Sequence, residues 1–236
     1  MATSMRGEVV ETRELYLIST GMPISDYNLA MPKDPMQRAE PALDQAARYF
    51  EARSFPYRVC VRADCAAASR EILHGRGFAE QDAIPGMVLS PMQEAPDPPD
   101  GLVMRRVDGA ESLAHFRKTA FEGFGLPVAA AALFLTEEFL ALPHVALFVG
   151  YVDEEPAATA ALVGTPGVAG IYWVATLAPY RGRGYGAALS WQAVAAGREL
   201  EYPLASLQAS QMGRPVYARM GFAHDRDYAQ FDSPPT

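Results

Sequence analysis

Between Val145 and Ala195 the spacing of apolar residues changes once, from alternation to a helical repeat. The change falls on a turn rich in glycine, Arg181-Gly182-Arg183-Gly184-Tyr185-Gly186. Before it stand VALFVGYV (Val145–Val152), PAATAALVG (Pro156–Gly164) and VAGIYWVAT (Val168–Thr176), separated by the turns Asp153–Glu155 and Thr165-Pro166-Gly167. That spacing predicts a three-strand antiparallel meander. After the turn, Ala187, Ala188, Trp191, Val194 and Ala195 share one face of a helix. Glycines between a strand and a helix let successive backbone N–H groups point at one place, where the helix dipole also favours negative charge. A pyrophosphate is the natural guest, and Arg181 and Arg183 can add charge-assisted bonds to its oxygens.

Three other readings compete for this loop. A P-loop requires Lys followed by Ser or Thr at the helix start, where Ala187 and Ala188 stand instead. Gly182, Gly184 and Ala187 satisfy the spacing of a dinucleotide fingerprint, but too few residues follow to build a doubly wound sheet. A glycine-rich connection with no ligand is the third.

Upstream, SPMQEAPDPPDG (residues 90–101) carries four prolines, one glycine and three acids, which suit neither a helix nor a strand interior. It divides the chain into residues 1–92, a proline-rich linker at 93–100, and a domain over 101–236. In that domain a short strand is expected within Gly101–Val107. Helical stretches follow at Ala110–Phe124 and Val128–Leu142, interrupted around Gly123, Gly125 and Pro127. Beyond the glycine loop, LASLQA (Leu204–Ala209) returns to strand. A last helix, Arg214–Met220, has Pro215 in its first turn and Gly221 to end it, ahead of a strand over Phe222–Phe231.

A shift of 145 residues sets Tyr27 on Tyr172, Leu15–Ile18 on Ala160–Val163 and Ala30 on Ala175. With small gaps, Gly77-Phe78 also falls on Gly221-Phe222. Order and spacing survive across the segment, so residues 15–90 read as a partial copy of 160–233. In this register Gly184 faces Ala39 and Gly186 faces Pro41, which has no N–H for an anion, while Tyr217 faces Leu73. The front copy reads as scaffold.

A formal net charge of −8 disfavours a nucleic-acid partner. The N-terminal MATSMRGEVVETRE has no apolar signal core, and no apolar run approaches the ~20 residues of a membrane span, so a soluble, cytoplasmic protein is expected. Cys60 and Cys65 read as free thiols, and His74, His115, His144 and His224 lack the spacing of metal ligands; no metal is expected.

Two motifs together resemble the GNAT (Gcn5-related N-acetyltransferase) superfamily. Its acyl-CoA signature, Arg or Gln, two residues, Gly, one residue, then Gly or Ala, appears as Arg181, Gly184 and Gly186. Its second, a strand, a helix with a tyrosine and a closing Gly-Phe, appears as LQAS followed by Val216, Tyr217, Ala218, Arg219, Met220, Gly221 and Phe222. The resemblance covers about residues 101–233. It implies an α/β (α+β) GNAT fold, a mixed and mostly antiparallel sheet flanked by helices, with the partial copy in front. It further implies transfer of acetyl from acetyl-CoA to a primary amine, on a small molecule or a peptide. In that family the strand before the loop pairs with the pantetheine arm, which points to Val174, Ala175 and Thr176. The pyrophosphate would lie on Gly182 to Ala187, with Arg183 and Tyr185 in the same loop. Tyr217 would protonate or hydrogen-bond the departing thiolate. Ser210 stands where many members have Asn. The strand Ile171–Thr176 has no carboxylate, so no general base is assigned, and Glu122 is a candidate from the helical region beside the acceptor site. By position alone, Tyr217 suits a packed tyrosine better than a catalytic one, and only the family resemblance reverses that, while Trp173 and Trp191 suit the core.

Overall fold

The computed structural model describes residues 8–133 and 135–234. In chain order the elements are β1 (Glu8–Glu11), β2 (Leu15–Ser19), β3 (Asn28–Pro32), α1 (Ala39–Glu51), β4 (Arg58–Arg62), α2 (Ala67–Gly75) and β5 (Ala79–Leu89). They continue with β6 (Val103–Arg106), α3 (Ala110–Phe124), α4 (Val128–Ala131), α5 (Glu137–Leu140), β7 (Val145–Val152), β8 (Glu155–Thr165) and β9 (Val168–Thr176). The last four are α6 (Tyr185–Glu199), β10 (Ala205–Gln208), α7 (Arg214–Arg219) and β11 (Ala223–Asp232). The described residues form two compact units, one of residues 8–85 with 226–234 and one within 86–225. No helix among the described residues is long and apolar enough to cross a membrane.

In the first unit the sheet runs β1-β2-β3-β4-β11. Strand β3 pairs parallel with β4, and β4 pairs antiparallel with Tyr228–Asp232 of β11. Leu15, Leu17, Leu43, Phe50, Val59, Leu73 and Phe231 close a core under α1 and α2. Arg58, with a side chain 12% exposed, fastens β11 by donating from Nε and Nη2 to the two oxygens of Asp232, at 2.7 and 3.0 Å.

The second unit orders its sheet β5-β10-β9-β8-β7-β6. Strands β6 to β9 form antiparallel neighbours, and β9 pairs parallel with β10. On the far side of β10, Gly86–Leu89 of β5 pairs antiparallel with Ala205–Gln208. Elements β2-β3-α1-β4-α2-β5 and β8-β9-α6-β10-α7-β11 therefore follow one another in the same order. Each unit's sheet is completed by the terminal strand of the other series: β5 reaches β10, and β11 reaches β4.

Helix α6 covers one face of this second sheet, where Ala160, Leu162, Ala169, Ile171, Leu189, Val194, Leu207 and Phe222 are buried together. Helix α3 covers the other with Leu113, Phe116 and Phe121 against Leu147, Val149 and Ala161. The leucines, valines, isoleucine and phenylalanines among them each stabilise by about 1.5–3 kcal/mol when removed from water, which explains why the meander's apolar strands sit between two helical layers. Helix α6 is less one-sided than its sequence suggests, with Tyr185, Ala188, Leu189, Trp191, Ala193, Val194 and Ala196 all buried. Its extra coverage comes from the proline-rich segment. Arg198 donates to the Gln93 carbonyl at 3.4 Å, the Met92 sulfur lies 3.8 Å from where a Gly197 Cβ would stand, and Pro99 is 3.4 Å from the corresponding point at Gly184. Residues 92–99 thus form a strap along α6, from its C-terminal end to its N-terminal end.

The single helix expected over Val128–Leu142 is instead two short ones. Helix α4 stops at Ala131, and helix α5 starts anew where the Thr136 hydroxyl accepts the Phe139 N–H at 3.1 Å, a side-chain cap. Helix α3 passes through Gly123 and stops at Gly125, which takes the left-handed conformation at φ 70°.

Candidate active site

All the candidate site residues read from the sequence lie in the second unit. Strand β9 is paired on both sides only at its start. It meets β10 at Ala169↔Ala205 and Gly170↔Ser206, while its pairing with β8 continues as far as Thr176↔Ala158. From Ile171 onward β9 and β10 part, and a wedge opens between them. Backbone groups on that edge of Val174, Ala175 and Thr176 face the wedge without a ladder partner from β10, as an extended ligand arm requires.

A bulge sets the direction of this edge. Thr159 pairs with Ala175 and Ala161 with Tyr172, so one extra residue is held on β9. Trp173 sits there at φ 53°, a conformation that costs about 1–3 kcal/mol for a bulky residue and persists only where its surroundings enforce it. They do: the Thr159 hydroxyl donates to the Trp173 carbonyl at 2.8 Å, and the indole stacks on Phe121 at 5.2 Å with Phe124 edge-on at 5.6 Å. Helix α3 presses on the same edge, since a Cβ on Gly123 would stand 2.7 Å from the Ala175 Cβ.

The glycine loop closes the wedge at the start of α6. Gly182 and Gly184 take φ 76° and 81°, which side-chain-bearing residues avoid, and Gly184 is the N-cap. Gly186 faces Thr176, whose Oγ1 is 3.2 Å from where a Cβ would be. Tyr185 is buried, Ala187 is half-buried and Arg183 is exposed. Arg181 donates from Nε to the Thr176 carbonyl at 3.0 Å and from Nη2 to the Gly123 carbonyl at 3.3 Å. Two of its donors therefore tie loop, strand end and α3 together, and the rest of the guanidinium faces solvent.

Tyr217 projects from α7 into the core below α6, 8% exposed. Burial pushes its hydroxyl above the ordinary tyrosine value, opposed by a hydrogen bond with Ser190. Ser190 donates to the Gly186 carbonyl at 2.8 Å. Gly213 makes room for the ring: a Cβ there would lie 2.9 Å from Tyr217 Cε2. Ser210 is exposed and accepts the Gly213 N–H on Oγ at 3.1 Å, which holds the turn into α7. Glu122 is exposed on α3, one residue before the contact with Ala175.

Sequence reasoning missed Ser190, the bulge at Trp173 and the close approach at Gly123. Gly123 carried the available signal, a glycine inside a helical stretch, and was read as an interruption. Ser190 and Trp173 carried none, because a serine on a helix and a tryptophan in a strand are ordinary. Among the described residues no group of three or more His, Cys, Asp or Glu could hold a metal.

The place in the first unit that the 145-residue shift sets against the glycine loop is built differently. Helix α1 begins at Ala39, buried, with Glu40 and Pro41 in its first turn. The Gln37 N–H just before it is taken by the Asp34 carboxylate at 3.0 Å. A resident acid and a missing N–H leave little for an outside anion.

A glycine-loop helix N-terminus beside a splayed parallel strand pair, in a mixed sheet covered by helices, defines the GNAT fold, and solved structures share it. A GCN5-related N-acetyltransferase from Kribbella flavida is 19% identical, with 97% of this chain and 90% of that chain covered at a TM-score of 0.75. A GCN5-related N-acetyltransferase from Sphaerobacter thermophilus is 16% identical, covering 94% and 80% at 0.68. A tandem GNAT protein from the clavulanic acid biosynthesis pathway is 14% identical, covering 97% and 82% at 0.61. No curated protein sequence matches. Residues 111–222, just under half of the chain, match the Acetyltransferase (GNAT) family, which together with the shared fold supports a GNAT assignment for the second unit.

Proposed function

We propose that the second unit transfers acetyl from acetyl-CoA to a primary amine, on a small molecule or peptide. The observation that carries this reading is the wedge: β9 loses β10 after Gly170, and the N-terminus of α6 closes the same opening with left-handed glycines. The edge of Val174, Ala175 and Thr176 would pair with the pantetheine amides, and the N–H groups from Gly182 to Ala187 would hold the pyrophosphate. Arg183 would add charge from the solvent side, while Arg181 keeps the loop in place. Tyr185 acts by packing, and Ser210 by fixing the turn that presents α7.

In the reaction the amine nitrogen attacks the thioester carbon, an oxyanion forms that a backbone N–H near Val174 stabilises, and the C–S bond breaks to release the CoA thiolate. Tyr217 is the group we assign to that thiolate. Its hydroxyl, held above an ordinary pKa of about 10, does not hand a proton outright to a thiolate of about 8.5, since the transfer is uphill by at least about 2 kcal/mol. It donates a hydrogen bond instead. With no carboxylate on β9, the ammonium proton leaves to solvent or to Glu122.

That same lack of a carboxylate favours a second reading, a protein that binds acyl-CoA without turning it over. Release of free thiol from acetyl-CoA against a panel of primary amines separates the two. Amine-dependent release supports transfer; saturable acetyl-CoA binding with no release on any amine supports the sensor. The first unit, lacking the loop's geometry, serves as scaffold in either case.

A further inference from the structure

The strap over residues 92–99 does more than cover α6. Between the two lies a pocket of about 160 Å³ lined by residues including Asp97, Pro98, Pro99, Ala188, Trp191 and Gln192, with Gly184 at one end. This is below the ~300 Å³ of a typical whole-ligand site, so it has room for one moiety of a larger molecule. Its walls are flat and apolar, prolines on one side and a small-residue helix face with the buried Trp191 on the other. Its rim is polar. The Gln192 side chain has no hydrogen-bond partner among the described residues, and an amide there presents a donor beside an acceptor, the pattern that meets the amino group and ring nitrogen of an adenine. Asp97 adds a second acceptor for the exocyclic amine.

We propose that this pocket seats the adenine ring of coenzyme A. The inference rests on the CoA-dependent reading above and extends it to a subsite built by the proline-rich strap. Gly184 belongs to both places: its N–H lies in the loop assigned to the pyrophosphate, and it ends the pocket. From Gly184 to Gln192 is two turns of α6, about 12 Å along the axis, the interval that a ribose and a base must bridge from a diphosphate. Proline walls suit the task because they offer flat faces with little conformational freedom to lose on binding.

The test is calorimetric binding of CoA, ADP and 4′-phosphopantetheine to the whole chain, to Gln192→Ala and to Gln192→Phe, with melting temperatures as the folding check. The parent should bind CoA at least tenfold more tightly than 4′-phosphopantetheine. Gln192→Ala should weaken CoA roughly fivefold, the loss of one hydrogen bond. Gln192→Phe, which fills the pocket, should bring CoA within about threefold of 4′-phosphopantetheine. Neither variant should change binding of 4′-phosphopantetheine, and ADP should weaken in parallel with CoA. If both variants bind CoA as the parent does, or lose both pantetheine-bearing ligands equally, the assignment is wrong although the CoA reading stands. Equal parental affinity for CoA and 4′-phosphopantetheine also overturns it. A parent that binds neither removes the CoA reading itself, and the subsite with it. Should Gln192→Phe fail to fold, the alanine variant alone decides.

Discussion

Gly123→Ala should weaken coenzyme A binding although it alters no group that touches the ligand. In an exposed helix interior this change is stabilising by about 1 kcal/mol, because alanine loses less backbone entropy than glycine. Here the new Cβ would stand 2.7 Å from the Ala175 Cβ and 3.7 Å from the Thr176 nitrogen. Carbon atoms rest at about 3.5–4.0 Å, so α3 and β9 must separate by roughly 1 Å. Overpacking of that size costs about 1–3 kcal/mol, so the net effect on folding runs from neutral to about 2 kcal/mol destabilising. The shift falls on the β9 edge assigned to the pantetheine arm. Misaligning one or two backbone hydrogen bonds there, at about 1 kcal/mol each, weakens CoA roughly five- to thirtyfold. Gly75→Ala, where a Cβ would meet nothing within 4 Å, is the control and should leave binding unchanged. The assay is calorimetric titration with CoA beside thermal unfolding. A Gly123→Ala protein that gains the full helix-propensity stability and binds CoA like the parent would refute the argument.

Gly184→Asp should abolish CoA binding and leave the fold intact, since it puts a side chain and a negative charge where the pyrophosphate is assigned; calorimetry reads it. Tyr217→Phe should lower kcat on the order of 10²-fold with CoA affinity nearly unchanged, because oxyanion stabilisation and thioester positioning remain. Unchanged kcat in steady-state kinetics would return Tyr217 to a packing role. Arg58→Leu leaves the Asp232 carboxylate without its bidentate partner and should lower stability by about 2–3 kcal/mol in denaturant titration, with CoA binding retained. Deleting residues 1–95 removes the β5 partner of β10 and the β4 partner of β11, and should give an insoluble product, seen as loss of protein from the soluble fraction.

The second unit's strands were legible because each is a short apolar run between turn residues. Val145–Val152 and Val168–Thr176 have the bounds their sequence predicts. Helix α7 was likewise marked at both ends, by Pro215 in its first turn and by Gly221, which takes φ 93°. Pairing was not legible. Nothing in the composition of β5 or β11 says that β5 joins β10 and β11 joins β4, because a strand's periodicity fixes which face is buried and not which neighbour it takes. The glycine loop was read correctly as a turn into a helix, but the destination of Arg181 was not, since a guanidinium suits a carbonyl as well as a phosphate. Thr136 shows a signal present and unused: a threonine three residues ahead of an apolar position marks the cap that divides Val128–Leu142.

Stoichiometric titration of the whole chain with CoA tests the central claim most directly. The wedge and left-handed glycines of the second unit, against Asp34 and Pro41 at the matching place in the first, lead to one CoA bound per chain. Two equivalent sites per chain, or no binding at all, would contradict it.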